Sequence, residues 1–192
     1  MNIYFVRHCE YVDPDKLIPG RLPVPLSDLG KQHAQKLADF FQDKDISKIY
    51  SSAVLRCQQT SEIISHGQTP IVYDIRLLEV FTAYQGYTFK DGVDFDHFYG
   101  HLKELGGESY KDVQERMVSF FEDVKNEGNN ILVVSHGDPL YTLYLYLSKK
   151  PLGTEDHLIA TKQSEEYPEK GSVRQLVIEE GAFTLKPFLI FK

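Results

Sequence analysis

Two continuous apolar runs stand out from the alternating pattern of this chain, and both end on histidine. Ile3-Tyr4-Phe5-Val6 runs straight into Arg7-His8, and Ile131-Leu132-Val133-Val134 runs through Ser135 into His136. Short apolar runs without alternation predict strands buried on both faces, as in a parallel sheet. Lys48–Ser51 and Ile71–Tyr73 predict two shorter strands. Between them the period changes to that of helices. Ser27 is a candidate N-cap for a helix through Leu29, His33, Leu37, Phe40 and Phe41 to about Asp43, and Ser52 for one from Ala53 to Ile64. His66-Gly67 closes the second helix.

Further along, Gly107-Glu108-Ser109 signals the start of a helix carried by Val113, Met117, Phe120, Phe121 and Val124 and ended by Gly128. Asp138-Pro139 opens another, through Leu147, since proline is tolerated in a first turn. Ser172–Glu179 and Phe183–Phe191 predict a hairpin turned at Glu180-Gly181. Strands alternating with helices predict a single α/β domain over residues 1–192: a three-layer α/β/α sandwich with a mostly parallel sheet and a C-terminal hairpin. The aromatic-rich stretch from Phe81 to Leu105 interrupts this alternation and predicts a small cap-like insertion at about residues 80–108.

Ligands bind beyond the carboxyl ends of the strands in such sheets, so Arg7, His8 and His136 are candidate site residues. Arg56 falls in a helix first turn, where the backbone N–H groups and the dipole also favour an anion. Glu79 lies in a strand-exit loop. If the first and fourth strands are neighbours, these groups converge. Two arginines and one histidine can hold the oxygens of a phosphoryl group while the other histidine attacks phosphorus in line. A carboxyl group kept protonated near neutrality could supply the leaving oxygen's proton.

Composition narrows the partners. The net charge of −7 and the lack of a basic run argue against nucleic acid. The longest apolar stretch, Pro139–Leu147, is too short to span a bilayer. The N-terminal run, cut short by Arg7, does not resemble a signal peptide. Two cysteines are too few for a disulfide framework, so a reduced cytoplasmic protein is expected, with no membrane partner. Oligomeric state is left open, a homodimer included. His97 and His101 have the i, i+4 spacing of a helical metal pair, but no acidic or cysteine partner matches, so no metal and no cofactor is expected.

The motifs in order resemble the histidine phosphatase superfamily, also called phosphoglycerate-mutase-like. Its Arg-His-Gly hallmark stands here as Arg7-His8-Cys9, followed by Glu10. Leu26-Ser27-Asp28-Leu29-Gly30-Lys31-Gln32-His33-Ala34, Ser51–Thr60 with Arg56, Leu78-Glu79, Gly107-Glu108-Ser109 and Ser135-His136-Gly137 are similar to its later elements. The likeness covers about residues 3 to 145 and thins after His136, so the tail adds little.

The resemblance implies a metal-independent phosphomonoesterase acting on a small phosphorylated metabolite. His8 would be the nucleophile, Arg7, Arg56 and His136 the phosphoryl ligands, and Glu79 the proton donor, with Glu10 and Glu108 as competitors for that role. A phosphoglycerate mutase and a non-catalytic phospho-ligand-binding protein are the alternatives. Cys9 departs from the family glycine, a change expected to be silent. Pro14 stands where an asparagine is common, so that contact is lost or taken over from Gly20 and Arg21; Arg21 as a substrate contact is set against an exposed loop arginine. Oxidation of Cys9 or Cys57, each next to a phosphate-site residue, is set against the simpler reading of two unreactive thiols.

Overall fold

The computed structural model describes residues 1–13, 16–88, 103–152 and 164–191. Pro14, most of the aromatic insertion with His97 and His101, and the middle of the segment after Lys149 lie outside these residues.

Six strands form one sheet in the order β3-β2-β4-β1-β5-β6. β1 (Asn2–Arg7), β2 (Ile46–Ser51), β3 (Ile71–Tyr73) and β4 (Asn130–Ser135) run parallel. β5 (Val173–Glu179) joins β1 antiparallel, and β6 (Ala182–Leu189) closes the edge as its hairpin partner. The turn between them uses φ of 50° at Glu180 and 80° at Gly181, the left-handed pair that a two-residue hairpin requires.

The unbroken apolar runs are explained by what covers the sheet. From β1 and β4, Ile3, Phe5, Ile131 and Val133 join the core beneath α3 (Tyr110–Val124) and α4 (Gly137–Leu147). The alternate residues Tyr4, Val6, Leu132 and Val134 join a second core beneath α1 (Asp28–Phe41) and α2 (Leu55–Ser65). Both faces are therefore dry, and each such side chain contributes about 1.5–3 kcal/mol by its burial. The mostly parallel three-layer sandwich stands as expected.

Local signals resolve unevenly. Ser27 caps α1 by accepting from the Gly30 N–H at 3.0 Å. Ser109 and Asp112 form a reciprocal capping box at the start of α3. Leu29, expected on the inner stripe of α1, is instead 53% exposed. The buried stripe runs through Gly30, Ala34, Leu37, Ala38 and Phe41, because the helix sits close to the chain after β1. A Cβ at position 30 would lie 1.9 Å from the Glu10 carbonyl oxygen, so only glycine allows that approach.

Ser52, expected as the N-cap of α2, is not its cap. Val54 holds that position, and the Ser52 hydroxyl serves His136 instead.

Candidate active site

Three neighbouring strands end at one level. Arg7 pairs with Ser135, and Ser51 with Val134. The ladder continues one step further, with the His8 N–H donating to Ser135 O at 3.0 Å and the Ser52 N–H to Val134 O at 2.9 Å. His8, Ser52 and His136 thus leave the sheet side by side, and the first turn of α2 adds Arg56. The adjacency of the first and fourth strands, on which convergence depended, is present.

Arg56 is the hub. It is fully buried; its Nε donates to His8 Nε2 at 3.0 Å, and its Nη2 to His136 Nδ1 at 2.9 Å and Gly20 O at 2.8 Å. A guanidinium has only donors, so it fixes both tautomers. His8 must carry its proton on Nδ1, which donates to Cys9 O at 2.8 Å. His136 must carry its proton on Nε2, which donates to Ser52 Oγ at 2.8 Å. Burial, reinforced by the Arg56 charge, pushes both imidazoles well below their ordinary pKa, so both rest neutral. Their rings lie 5.2 Å apart.

Two donors in this cluster are unused. Arg7 Nε and Arg56 Nη1 are buried and find no acceptor among the described residues. Leaving a buried donor unpaired costs about 1–3 kcal/mol, a cost that an arriving oxyanion removes.

Glu79 follows a short 3₁₀ turn, Ile75–Leu77. Its Oε1 accepts from the Val80 N–H at 2.9 Å, while Oε2 lies 3.6 Å from His136 Nδ1 and 3.7 Å from Arg56 Nη2. Burial first, then the Asp138 charge, raise its carboxyl pKa to about 7. It is therefore poised between its acid and base forms near neutrality.

The competing carboxylates are differently occupied. Glu108 binds Arg21 at 2.8 Å and Arg116 at 2.9 Å, and Asp112 completes the cap of α3. Glu10 binds Lys170 at 2.7 Å. Arg21 reaches the rim of the site, donating from Nε to Glu79 O at 2.8 Å. Gly20 takes a φ of 44° and presents its carbonyl to Arg56.

Cys9 does not need to be glycine. It has no positive φ, and its side chain joins the core with Val6, Leu26 and Ala34. Burial pushes both the Cys9 and Cys57 thiols up to about 12, so neither carries thiolate at neutral pH. This favours the unreactive reading over the oxidation switch. Among the described residues, no group of three or more His, Cys, Asp or Glu is disposed to hold a metal, and no helix is long and apolar enough to cross a membrane.

The tail contributes more than the sequence promised. Residues 164–172 form a strap across the end of β1, with the Gly171 N–H donating to the Arg7 and His8 carbonyls at 3.1 and 3.2 Å. Arg7 Nη1 donates to Pro168 O at 2.9 Å, and the guanidinium lies 5.4 Å from the Tyr167 ring centroid. Lys170 Nζ sits 4.2 Å from the centre of the Tyr11 ring, which itself lies 5.6 Å from that of His8. Nothing in the local sequence of the strap announces these contacts. A Lys or Tyr in a polar loop is most often solvated.

Known proteins resemble this chain in sequence and in fold. The chain is 29% identical over 160 residues to phosphoserine phosphatase 1 of Hydrogenobacter thermophilus, covering 77% of this chain and 76% of that protein. It is likewise 29% identical over 159 residues to phosphoglycerate mutase-like protein 4 of Arabidopsis thaliana, covering 74% and 69%. The solved structure of Bacillus stearothermophilus YhfR superposes with a TM-score of 0.83 at 28% identity, covering 96% of this chain and 94% of that one. The sequence signature of the histidine phosphatase superfamily, branch 1, matches residues 3–186, and with strand ends, paired histidines and the buried Arg56 in place, the chain belongs to that superfamily of phosphatases and mutases.

Proposed function

We propose that the protein is a phosphomonoester hydrolase that works through a phosphohistidine on His8. The observation that carries this reading is the pairing of a neutral imidazole with unused cationic donors. His8 holds its lone pair on Nε2, and Arg56 Nη1 and Arg7 Nε are buried without acceptors. A phosphoryl group entering between them would satisfy the arginines and draw Arg56 Nε away from the His8 lone pair.

Nε2 then attacks phosphorus in line with the leaving oxygen. The P–N bond forms as the P–O bond breaks, and its electron pair leaves on oxygen. Glu79, placed 3.6 Å from His136 and holding a proton below about pH 7, donates that proton to the leaving alkoxide. Water attacks the phosphohistidine in the second half, with the Glu79 carboxylate taking a proton and inorganic phosphate leaving. Arg7 and Arg56 hold the phosphoryl oxygens throughout, His136 joins them once its Nδ1, which accepts from Arg56 at rest, has taken a proton from solvent, and the energetic work is positioning and charge neutralisation. Gly20 and Arg21 lie on the leaving-group side, where a small phosphorylated metabolite would meet them.

Phosphate release from a broad phosphomonoester panel in EDTA tests this, with His8→Ala as the blank. Turnover in the wild type and a loss of about 10⁴-fold or more in the variant are expected. Release that persists in His8→Ala would overturn the nucleophile. Transfer to a second hydroxyl of the substrate, with no free phosphate, would establish the mutase instead.

A further inference from the structure

Arg7 is held from the side of the chain that carries no motif. Tyr167 places its ring against the guanidinium, 5.4 Å from centroid to Cζ, and the next residue, Pro168, accepts from Nη1 at 2.9 Å. The Tyr167 hydroxyl donates to Asp138 Oδ1 at 3.0 Å, and the Tyr110 hydroxyl reaches the same oxygen at 3.3 Å. Asp138 lies in the first turn of α4, two residues after His136. Tyr167 therefore spans two ligands of the proposed phosphoryl site, touching Arg7 with its ring and the helix that follows His136 with its hydroxyl.

The fit leaves no slack. A Cβ at Gly137 would lie 2.3 Å from the Tyr167 hydroxyl oxygen, 2.8 Å from its Cζ and 3.1 Å from Arg7 Cζ. All three residues meet at one point, which only a glycine permits. A second ring, Tyr141, backs Tyr167 with centroids 5.6 Å apart. Burial and the Asp138 charge push the phenol well above its ordinary pKa, so it donates at all working pH values.

We propose that Tyr167 is a positioning residue: anchored on Asp138, it sets the plane of the Arg7 guanidinium so that its unused Nε edge is presented to the phosphoryl oxygens. A guanidinium is planar and its recognition of an oxyanion is directional, so its plane matters as much as its charge. The inference rests on Arg7 being an oxyanion ligand and adds to that reading a residue from the strap.

The test is a double-mutant cycle read by binding rather than turnover. Tungstate, a tetrahedral oxyanion, is titrated calorimetrically into the wild type, Tyr167→Phe, Arg7→Lys and the double variant. Tyr167→Phe keeps the ring and loses the anchor, and is expected to weaken tungstate about tenfold when Arg7 is present. With Arg7→Lys, whose ammonium has no plane to set, the same change is expected to cost less than about twofold. Equal losses in both backgrounds would reduce Tyr167 to a general structural role and overturn the proposal.

Circular dichroism melts accompany each variant, and Arg7→Met, which has no planar donor, replaces Arg7→Lys if the latter fails to fold. A wild type that binds no tungstate overturns the proposal outright. A wild type that binds it without hydrolysing any phosphomonoester defeats the hydrolase reading alone and leaves the cycle measurable.

Discussion

The parallel half of the sheet and the 164–172 strap bring side chains to the same pocket by opposite means. β1 and β4, buried on both faces, deliver His8 and His136 through the register of a ladder, and β2 beside them leads into the first turn of α2, which brings Arg56. The backbone alone sets their level, and the side chains need only be of the right kind. The strap has no such frame. It is fixed by side-chain pairs of its own: Glu166 with Arg174 and Lys150, Tyr167 with Asp138, and Lys170 with Glu10. A ladder makes chemistry legible from short motifs, whereas a strap hides it in side-chain pairings that range from 8 to 160 residues apart.

The largest effect available within the ladder half is loss of its hub. Arg56→Ala removes the donor that fixes both imidazole tautomers and whose unused N–H is the proposed contact for the phosphoryl group. A fall of about 10³-fold in kcat/KM is expected. Arg56→Lys should recover little of it, because an ammonium cannot reach His8, His136 and Gly20 at once from a fixed fork. A lysine variant within tenfold of the wild type would show that charge, not geometry, is what the ladder delivers.

Glu79 joins the two halves, since Asp138, the anchor of the strap, also raises its carboxyl pKa. As the proposed proton donor it must be protonated, so kcat/KM should fall as pH rises through about 7. On the acid side, His8 stays neutral well below the usual imidazole range, so no fall is expected near pH 6.5. Glu79→Gln should cost about 10²-fold at pH 6 and abolish the limb near 7, leaving a flat profile there. A limb that survives in Glu79→Gln would move the acid role elsewhere.

How much of this could be read beforehand follows the same division. The double-sided strands were legible because apolar runs ending in Arg7-His8 and Ser135-His136 have no other economical placement. Arg56 and Glu79 followed from spacing within ordered motifs. The inner stripe of α1 was misread at Leu29 because burial there is decided by the close approach of Gly30 to Glu10, which apolar periodicity does not encode. Ser52 was misread because two roles compete for its hydroxyl, and a histidine from β4 wins. Tyr167 and Lys170 carry no local pattern at all. Their partners are decided only once β5 has placed the strap beside β1.

Lys170 marks the weak end of the comparison. Its ion pair with Glu10 is short at 2.7 Å, but the two side chains are 28% and 36% exposed. Pairs so open to solvent are worth about 0–1 kcal/mol, since water screens the attraction and two flexible side chains must be held still. The ammonium also rests on Tyr11, beside His8, where it adds slightly to the charge that keeps the imidazole neutral. Lys170→Met preserves the stem against the ring and removes only that charge. It should lower kcat/KM less than about fivefold, with the loss shrinking as salt is raised. A loss of a hundredfold, insensitive to salt, would mean that the strap contacts the phosphoryl group directly, and would erase the distinction between a ladder that supplies ligands and a strap that only holds them in place.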